Sequence, residues 1–304
     1  MRVLILGATG QLGHDLQLAF SDLEVVTAAR MGAQIQLDLA QPDALRRSIL
    51  DSIRPELVVN AAAFHNVPDC EARPAEAYAI NATGVATLGE ACAEIDARLI
   101  HVSTDYVFGE RNARSGREGD LTPWREDELP APLNVYASSK LAGEQLLAAA
   151  CPDHVIVRSS GLYGLAPCLA KGGKNFVQLM LHLARERDEV KVVTDEILTP
   201  THTYALAHQI RRLAESPEAN GVYHATCQGQ CSWNEFAATI FEETQTEIRL
   251  LPATNVDFPS PVRRPSFSAL DNCRLREQGL DEMPDWRVSL RTYLNDLGEL
   301  GTSH

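Results

Sequence analysis

The sequence predicts an α/β protein with a doubly wound parallel sheet and a smaller, partly interleaved C-terminal domain. Two observations support this fold class. Short aliphatic runs alternate with helical patterns through residues 1–158, which is typical of parallel βαβ units. Glycine or polar residues follow several of these runs, where the predicted strands end. Because ligands of such sheets bind beyond the carboxyl ends of the strands, we expect these residues to share one crevice.

The first half of the chain contains most of the regular pattern. The aliphatic run at residues 2–6 stops at Gly7 and predicts a buried first strand. Further strands are expected at residues 24–28, 34–37, 57–59, 99–102 and 155–157. Helices are expected between them at residues 12–20, 42–53, 75–95 and 134–150, and Pro42 suits the first turn of its helix.

The remaining segments are less regular. Residues 109–132 are rich in charge, glycine and proline and predict a surface loop. After residue 158, helices are expected at residues 175–187, 203–214 and 232–244, and a strand at residues 190–193.

Composition and charge exclude several classes of protein. The 304 residues are 45% hydrophobic and 22% charged, as in ordinary globular proteins. The net charge of -14 disfavours binding to nucleic acid or to an anionic membrane surface. The seven cysteines are scattered without zinc-type spacing, so we expect reduced thiols in the cytoplasm and no metal site. The N-terminus lacks the layout of a signal peptide, and no apolar run is long enough to span a bilayer.

Three glycines follow the first predicted strand with GxxGxxG spacing. Glycine permits a tight turn and a close approach of the backbone, and the N-terminus of the following helix favours negative charge. We therefore expect a dinucleotide pyrophosphate here, although an ordinary strand-to-helix turn is the alternative. The residues expected at the cofactor are Gly7, Thr9, Gly10, Gln11, Leu12 and Gly13. The dinucleotide-binding domain would span residues 1–158, with segments around 190–224 returning to it, and residues 159–304 would mainly bind substrate.

The end of the second predicted strand indicates which dinucleotide is bound. Many NAD-preferring enzymes place a carboxylate there against the ribose 2′-hydroxyl, whereas this sequence has Arg30. An arginine can pair with a 2′-phosphate, so NADPH is expected, with NADH as the second choice. A solvated surface arginine is the alternative. Asp38 and Leu39, at the next strand end, are expected to frame the adenine. The other residues expected at the cofactor are Ala61, Ala62, Ala63, Tyr136 and Lys140.

Tyr136 and Lys140 lie four positions apart and therefore on one face of their predicted helix. An ammonium close to a phenol favours the phenolate, so Lys140 is expected to lower the pKa of Tyr136 and to hold the nicotinamide ribose. Tyr136 would then protonate a carbonyl oxygen as hydride reaches the carbon, and Thr104 would hydrogen-bond the same oxygen. Such a pair alone occurs often by chance, but the glycine turn and Thr104 at a strand end strengthen the interpretation.

These residues resemble the extended short-chain dehydrogenase/reductases. The glycine turn, residues 60–63, residues 103–108 and the Tyr136–Lys140 pair match that family. Further motifs are similar to the dTDP-4-dehydrorhamnose reductase family within it. These motifs lie at residues 132–144, 173–177, 199–201, 221–224, 232–233, 264–265 and 270–271. The resemblance covers nearly the whole chain, in matching order.

The resemblance implies NADPH- or NADH-dependent reduction of the 4-keto group of dTDP-4-dehydro-L-rhamnose to dTDP-L-rhamnose, by a monomer or homodimer. It implies Thr104, Tyr136 and Lys140 as catalytic residues. The residues it places at the substrate are Thr104, Asp105, Tyr106, Tyr136, Asn175 and Arg264, the last facing the diphosphate. The sequence departs from the family at Gly161, where many members carry a tryptophan near the sugar, and in a longer loop at residues 109–124. Some relatives bind magnesium at a dimer interface, but no ligands for it are assigned here.

Three other functions are compatible with parts of this pattern. Related dehydratases carry a glutamate after a Thr-Asp pair, but Tyr106 follows Asp105 here, which argues against dehydration. An epimerase or reductase of another nucleotide-linked keto-sugar would share the scaffold. The non-catalytic β subunit of methionine adenosyltransferase is also similar, including around Tyr136. Net oxidation of NADPH would distinguish the reductase from tight binding to a partner enzyme without turnover.

Overall fold

The computed structural model describes residues 1–110, 121–168 and 172–301. Most of the loop predicted at residues 109–132 can be followed, but residues 111–120 of it lie outside the described residues. The same holds for part of the unusually long segment at residues 109–124.

The first half of the chain alternates strands and helices in the expected order. Its elements are β1 (Arg2–Leu6), α1 (Gln11–Ala19), β2 (Glu24–Ala29), β3 (Ile35–Gln36), α2 (Pro42–Arg47), β4 (Leu57–Asn60), α3 (Val67–Ala72), α4 (Pro74–Tyr78), α5 (Gly84–Glu94), β5 (Arg98–Thr104), α6 (Val135–Ala150) and β6 (His154–Ser159). The π-helical segment Ser48–Ile53 continues α2, and a second one, Ala79–Thr83, joins α4 to α5. The helix expected at residues 75–95 is therefore divided.

The second half contains several very short strands that the sequence pattern did not reveal. Its elements are β7 (Leu162–Tyr163), α7 (Phe176–Glu186), β8 (Glu189–Val193), β9 (Ile197–Leu198), β10 (Thr201–His202), α8 (Thr203–Ala214), β11 (Gly221–His224), β12 (Cys231–Ser232), α9 (Trp233–Glu243), β13 (Arg249–Ala253), α10 (Cys273–Glu277) and α11 (Trp286–Leu297). The helices predicted at residues 175–187, 203–214 and 232–244 correspond to α7, α8 and α9.

Within the described residues, seven strands form one parallel sheet in the order β11-β6-β5-β4-β1-β2-β3. The chain starts in the interior of the sheet and winds outward in both directions, so the doubly wound prediction is confirmed. The register aligns Leu6 with Asn60, Asn60 with His101, and Thr104 with Ser159. The polar residues that end neighbouring strands therefore lie along one edge of the sheet.

Helices cover both faces of this sheet. Val3 and Ile5 point to the face covered by α1 and α8, whereas Leu4 and Leu6 point to the face covered by α2, α5 and α6. All four side chains are buried, and burial of each contributes about 1.5–3 kcal/mol. This two-sided burial explains why β1 is an uninterrupted aliphatic run.

A second core lies outside the large sheet, around Tyr163, Phe236, Trp286 and Tyr293. Helices α7, α9 and α11 and the parallel pair β8–β13 surround it. The chain then passes back to the sheet, because α8 packs against α1 and β11 pairs with β6. The strand predicted at residues 190–193 is present as β8, but it pairs with β13 and not with the large sheet.

Candidate active site

The glycine turn between β1 and α1 is closely packed. Gly7 has φ +77, and a Cβ on it would lie 2.8 Å from the Ala62 nitrogen. Gly10 is the N-cap of α1 and has no side chain to bond the first N–H groups of the helix. These donors and the half-buried turn fit the pyrophosphate of a dinucleotide, which needs N–H groups at a helix N-terminus and a close backbone approach.

Gly13→Ala is expected to weaken NADPH binding strongly, because its Cβ would lie 2.1 Å from the Gly7 oxygen and 2.7 Å from the Ala8 Cα. Opening the turn to admit a methyl group costs about 1–3 kcal/mol. Gly89→Ala is the control, since its Cβ would also meet a close neighbour, 2.9 Å from the Leu147 Cδ1, but Gly89 lies in α5, away from the glycine turn. Fluorescence titration with NADPH measures both affinities, and equal affinities would contradict the argument.

The expected adenosine end is a cavity of about 230 Å³ beside β2 and β3. Arg30 and Asp38 both line this cavity, and the Arg30 side chain is exposed. One Asp38 carboxylate oxygen accepts the Ala40 N–H at 2.9 Å. Leu39 is buried behind the cavity. The structure therefore brings Arg30 and Asp38 together, while Leu39 packs into the core.

Two buried asparagines hold the loop that contains Ala61, Ala62 and Ala63. The Asn60 Oδ1 accepts the Ala62 N–H at 3.0 Å, and the Asn81 Oδ1 accepts the Phe64 N–H at 2.8 Å. Asn81 also donates to the Ser139 hydroxyl of α6 at 3.0 Å. The loop expected at the cofactor is thus fixed to the helix that carries Tyr136.

The Thr104 hydroxyl lies close to the Tyr136 phenol. Thr104 ends β5, and Tyr136 lies in the first turn of α6, where the Asn134 Oδ1 caps the helix by accepting the Ala137 N–H at 2.9 Å. Burial raises the pKa of Tyr136 above its usual value, and the nearby Thr104 hydroxyl opposes this rise. The expected lowering of that pKa by Lys140 stays a prediction.

Asp105 holds Thr104 from the other side. The Thr104 hydroxyl donates to one Asp105 carboxylate oxygen at 3.1 Å, and the Ser160 hydroxyl donates to the other at 2.8 Å. Burial raises the pKa of Asp105, and the hydroxyl groups around it oppose this rise. The ring of Tyr106 meets that of Tyr136 edge to face, with centroids 6.0 Å apart.

Lys140 is buried beneath these hydroxyl groups, with 1% of its surface exposed. Its Nζ donates to the Val102 carbonyl at 2.7 Å and lies 3.0 Å from the His101 Nε2. Burial lowers the pKa of Lys140 to about 8, while Glu144 opposes the shift. Sequence reasoning missed His101, although a polar residue within the aliphatic run at residues 99–102 was a usable signal.

Three further residues predicted to contact the cofactor or the substrate are Gln11, Asn175 and Arg264. The Gln11 amide donates to the Gly164 carbonyl at 2.9 Å. The Asn175 amide donates to the same carbonyl at 2.8 Å and to the Tyr293 hydroxyl at 2.9 Å, and its Oδ1 caps α7. Asn175 is therefore engaged within the protein. Arg264 is exposed, and its positive charge lowers the pKa of Tyr106, so it lies on the Tyr106 side of the crevice.

Glu196 also lies on the Arg264 side of the crevice, and it was not identified as a site residue from the sequence. Its side chain is buried, and burial raises its pKa while the charge of Arg264 lowers it. Gly161 lies nearby in the chain fold with φ +57, and a Cβ there would lie 2.7 Å from Leu198 and 3.2 Å from the Pro200 Cα. Leu198 and Pro200 therefore leave little room for a larger side chain at this position.

Comparison with known proteins shows to which family the chain belongs. Residues 1–299 match the family model described as RmlD substrate binding domain. A dTDP-4-dehydrorhamnose reductase from Shigella flexneri is 37% identical, over 98% of both chains. The chain belongs to the dTDP-4-dehydrorhamnose reductase family. A solved member from Clostridium acetobutylicum has a TM-score of 0.89 and 34% identity, covering 98% of this chain and 100% of that one.

The family confirms the class of enzyme and cofactor. A dTDP-4-dehydrorhamnose reductase from Bacillus anthracis, solved in complex with NADP, has a TM-score of 0.87 and 33% identity over 97% of this chain and 99% of that one. The prediction of an NAD(P)H-dependent oxidoreductase of this family is thus confirmed. No helix in the described ranges has the length and apolar character needed to cross a membrane. The cytoplasmic location and the monomeric or homodimeric state stay predictions.

Proposed function

We propose that this chain reduces the 4-keto group of dTDP-4-dehydro-L-rhamnose with NADPH to give dTDP-L-rhamnose. The observation that carries this proposal is the neighbouring pair of hydroxyl groups of Thr104 and Tyr136 at the carboxyl end of β5. The pair lies at the sheet edge that also carries the glycine turn. The names of the relatives support the choice of sugar, and family membership supports the choice of cofactor.

The hydroxyl groups of Tyr136 and Thr104 have different roles at the substrate carbonyl. Tyr136 donates its proton to the carbonyl oxygen, and Thr104, held by Asp105, hydrogen-bonds the same oxygen. NADPH supplies the hydride when it is bound. Arg264, on the Tyr106 side of the crevice, pairs with the diphosphate of the substrate. The predicted role of Asn175 at the substrate has less support, since its polar atoms are engaged within the protein.

The deciding experiment follows NADPH absorbance with dTDP-4-dehydro-L-rhamnose, made in situ by the preceding enzymes, and identifies the product by mass and NMR. Formation of dTDP-L-rhamnose would support the proposal. NADPH binding without turnover would contradict it and would favour a different keto-sugar, tested next with other 4-keto nucleotide sugars. Interconversion of sugars without net NADPH oxidation would indicate an epimerase, and failure with every sugar would favour the regulatory subunit.

Arg30→Ala is expected to weaken NADPH binding about tenfold and to leave NADH binding nearly unchanged, because only NADPH carries the 2′-phosphate. Fluorescence titration gives the dissociation constant of each cofactor. Arg47→Ala is the matched control, since Arg47 is also exposed but does not line the cavity beside β2. An unchanged ratio of the two constants in Arg30→Ala would assign Arg30 to the solvated surface.

A further inference from the structure

A chain of buried polar side chains runs from Lys140 into the core. The Lys140 Nζ lies 3.0 Å from the His101 Nε2, and the His101 Nδ1 lies 3.0 Å from the Asn60 Nδ2. Lys140 is 1% exposed, and His101 and Asn60 are both 0% exposed. Without access to solvent, each of these groups depends on its neighbour for a hydrogen bond.

The backbone fixes the orientation of the Asn60 amide. Its Oδ1 accepts the Ala62 N–H at 3.0 Å, so its Nδ2 faces the imidazole of His101. The opposite orientation would place two donors, the Asn60 amide and the Ala62 N–H, against each other. An amide nitrogen only donates, so the His101 Nδ1 must accept.

This requirement determines the tautomer of His101. A neutral imidazole carries one proton, and with a lone pair on Nδ1 that proton is on Nε2. The Nε2–H bond then points at the Lys140 Nζ. An ammonium has no lone pair to accept it, whereas an uncharged amine accepts this N–H and still donates to the Val102 carbonyl.

We propose that His101 is a positioning residue that acts through Lys140: the Asn60 amide fixes its Nε2–H tautomer, and that N–H favours the uncharged amine. Lys140 is then a group that releases and regains a proton, and not a permanent cation. His101 touches neither substrate nor cofactor in this role.

The charged surroundings are consistent with this role. Burial lowers the pKa of His101 well below its usual value, and a positive charge on Lys140 lowers it further, so the imidazole stays neutral whether Lys140 is charged or not. Glu144, one turn along α6, favours the Lys140 ammonium, but Glu144 is itself paired with Arg158 of β6. Tyr136, one turn earlier on α6, is the other titratable group on this face of the helix.

The consequence for the reaction rests on the proposed reductase function. When Tyr136 gives its proton to the substrate oxygen, an N–H bond of the Lys140 ammonium breaks and the Tyr136 O–H bond forms again. The lone pair left on Lys140 accepts the His101 Nε2–H. A solvent hydronium ion then protonates the partly exposed Tyr136 while Tyr136 passes its proton to Lys140, which restores the ammonium without direct contact between Lys140 and solvent.

The first test determines the tautomer of His101 in the full chain by nitrogen-15 NMR of the imidazole nitrogens. The sequence has nine histidines, so a His101→Gln variant assigns the signal. The expected result is a neutral ring with an unprotonated Nδ1 and a protonated Nε2. A protonated Nδ1, or an imidazolium, would overturn the inference.

The second test follows the titration of Lys140 by carbon-13 NMR of the lysine Cε atoms. The sequence has four lysines, so Lys140 can be assigned with a Lys140→Met variant. Asn60→Ala frees His101 to change tautomer and accept from an ammonium, so the Lys140 midpoint should rise by roughly one pH unit. Asn81→Ala is the matched control. The Asn81 Oδ1 also accepts a backbone N–H of the loop at residues 61–65, but the Asn81 Nδ2 donates to Ser139 and not to His101.

Neither NMR test needs substrate or turnover. The inference about His101 can therefore be refuted without refuting the proposed function, and the reverse also holds. An unchanged Lys140 midpoint in Asn60→Ala, or an equal rise in Asn81→Ala, would show that burial alone sets it and would overturn the inference. If the Asn60→Ala variant does not fold, the tautomer of His101 in the unmodified protein still tests the inference. In active enzyme, His101→Gln should displace the pH dependence of kcat while leaving the KM for NADPH within about twofold.

Discussion

Tyr136→Phe is expected to lower kcat for reduction of the 4-keto sugar by about 10²- to 10⁴-fold, the usual contribution of a positioned proton donor. The phenyl ring fills the same space and keeps the edge-to-face contact with Tyr106. What is lost is the hydroxyl group that lies beside Thr104 and would protonate the substrate oxygen. Steady-state NADPH oxidation gives kcat, and fluorescence titration should give a nearly unchanged dissociation constant for NADPH.

Tyr106→Phe gives the matching comparison, because it removes a hydroxyl group from the neighbouring ring. Tyr106 is expected to contact substrate, so its loss should raise the KM for the sugar more than it lowers kcat. The two variants together separate binding from proton donation. Turnover of Tyr136→Phe above about a tenth of normal would contradict its assignment as the proton donor.

The sequence predicted best the features that depend on local pattern and on the geometry of parallel sheets. Uninterrupted aliphatic runs predicted the central strands, and the carboxyl ends of parallel strands must lie at the same edge of the sheet. The placement of Gly7, Asn60 and Thr104 along that edge followed directly. The glycine spacing likewise predicted a tight turn, and the short distances from Gly13 to Gly7 give its physical reason.

The features that were missed depend on contacts between distant parts of the chain. Nothing near Asn175 in the sequence indicates that Tyr293 and Gly164 engage its amide. The pair β8–β13 joins segments about sixty residues apart. Residues 249–253 lack the alternation of a half-buried strand, so the sequence indicated β8 but not its partner. The contact of Lys140 with His101 similarly requires knowing that α6 crosses β5.

Arg158→Met is expected to lower the free energy of unfolding by about 3–5 kcal/mol, because it leaves a carboxylate buried without its partner. The Arg158 guanidinium binds Glu144 through Nη2 at 2.6 Å and Nε at 3.0 Å. Both side chains are about 5% exposed or less. Urea unfolding of the full chain, followed by circular dichroism, measures the loss.

The double variant Arg158→Met, Glu144→Leu tests whether the loss comes from the unpaired charge. Replacing both partners with apolar side chains of similar size removes the cost of burying two ions, so the double variant should recover most of the stability. If it is as unstable as Arg158→Met alone, the loss would come from packing, such as the Arg158 contact with Phe108 at 5.2 Å. Glu144 lies one turn after Lys140 on α6, so recovery of stability need not restore activity. A stable double variant with a lowered Lys140 midpoint would show that the pair ties α6 to β6 and also supports the Lys140 charge.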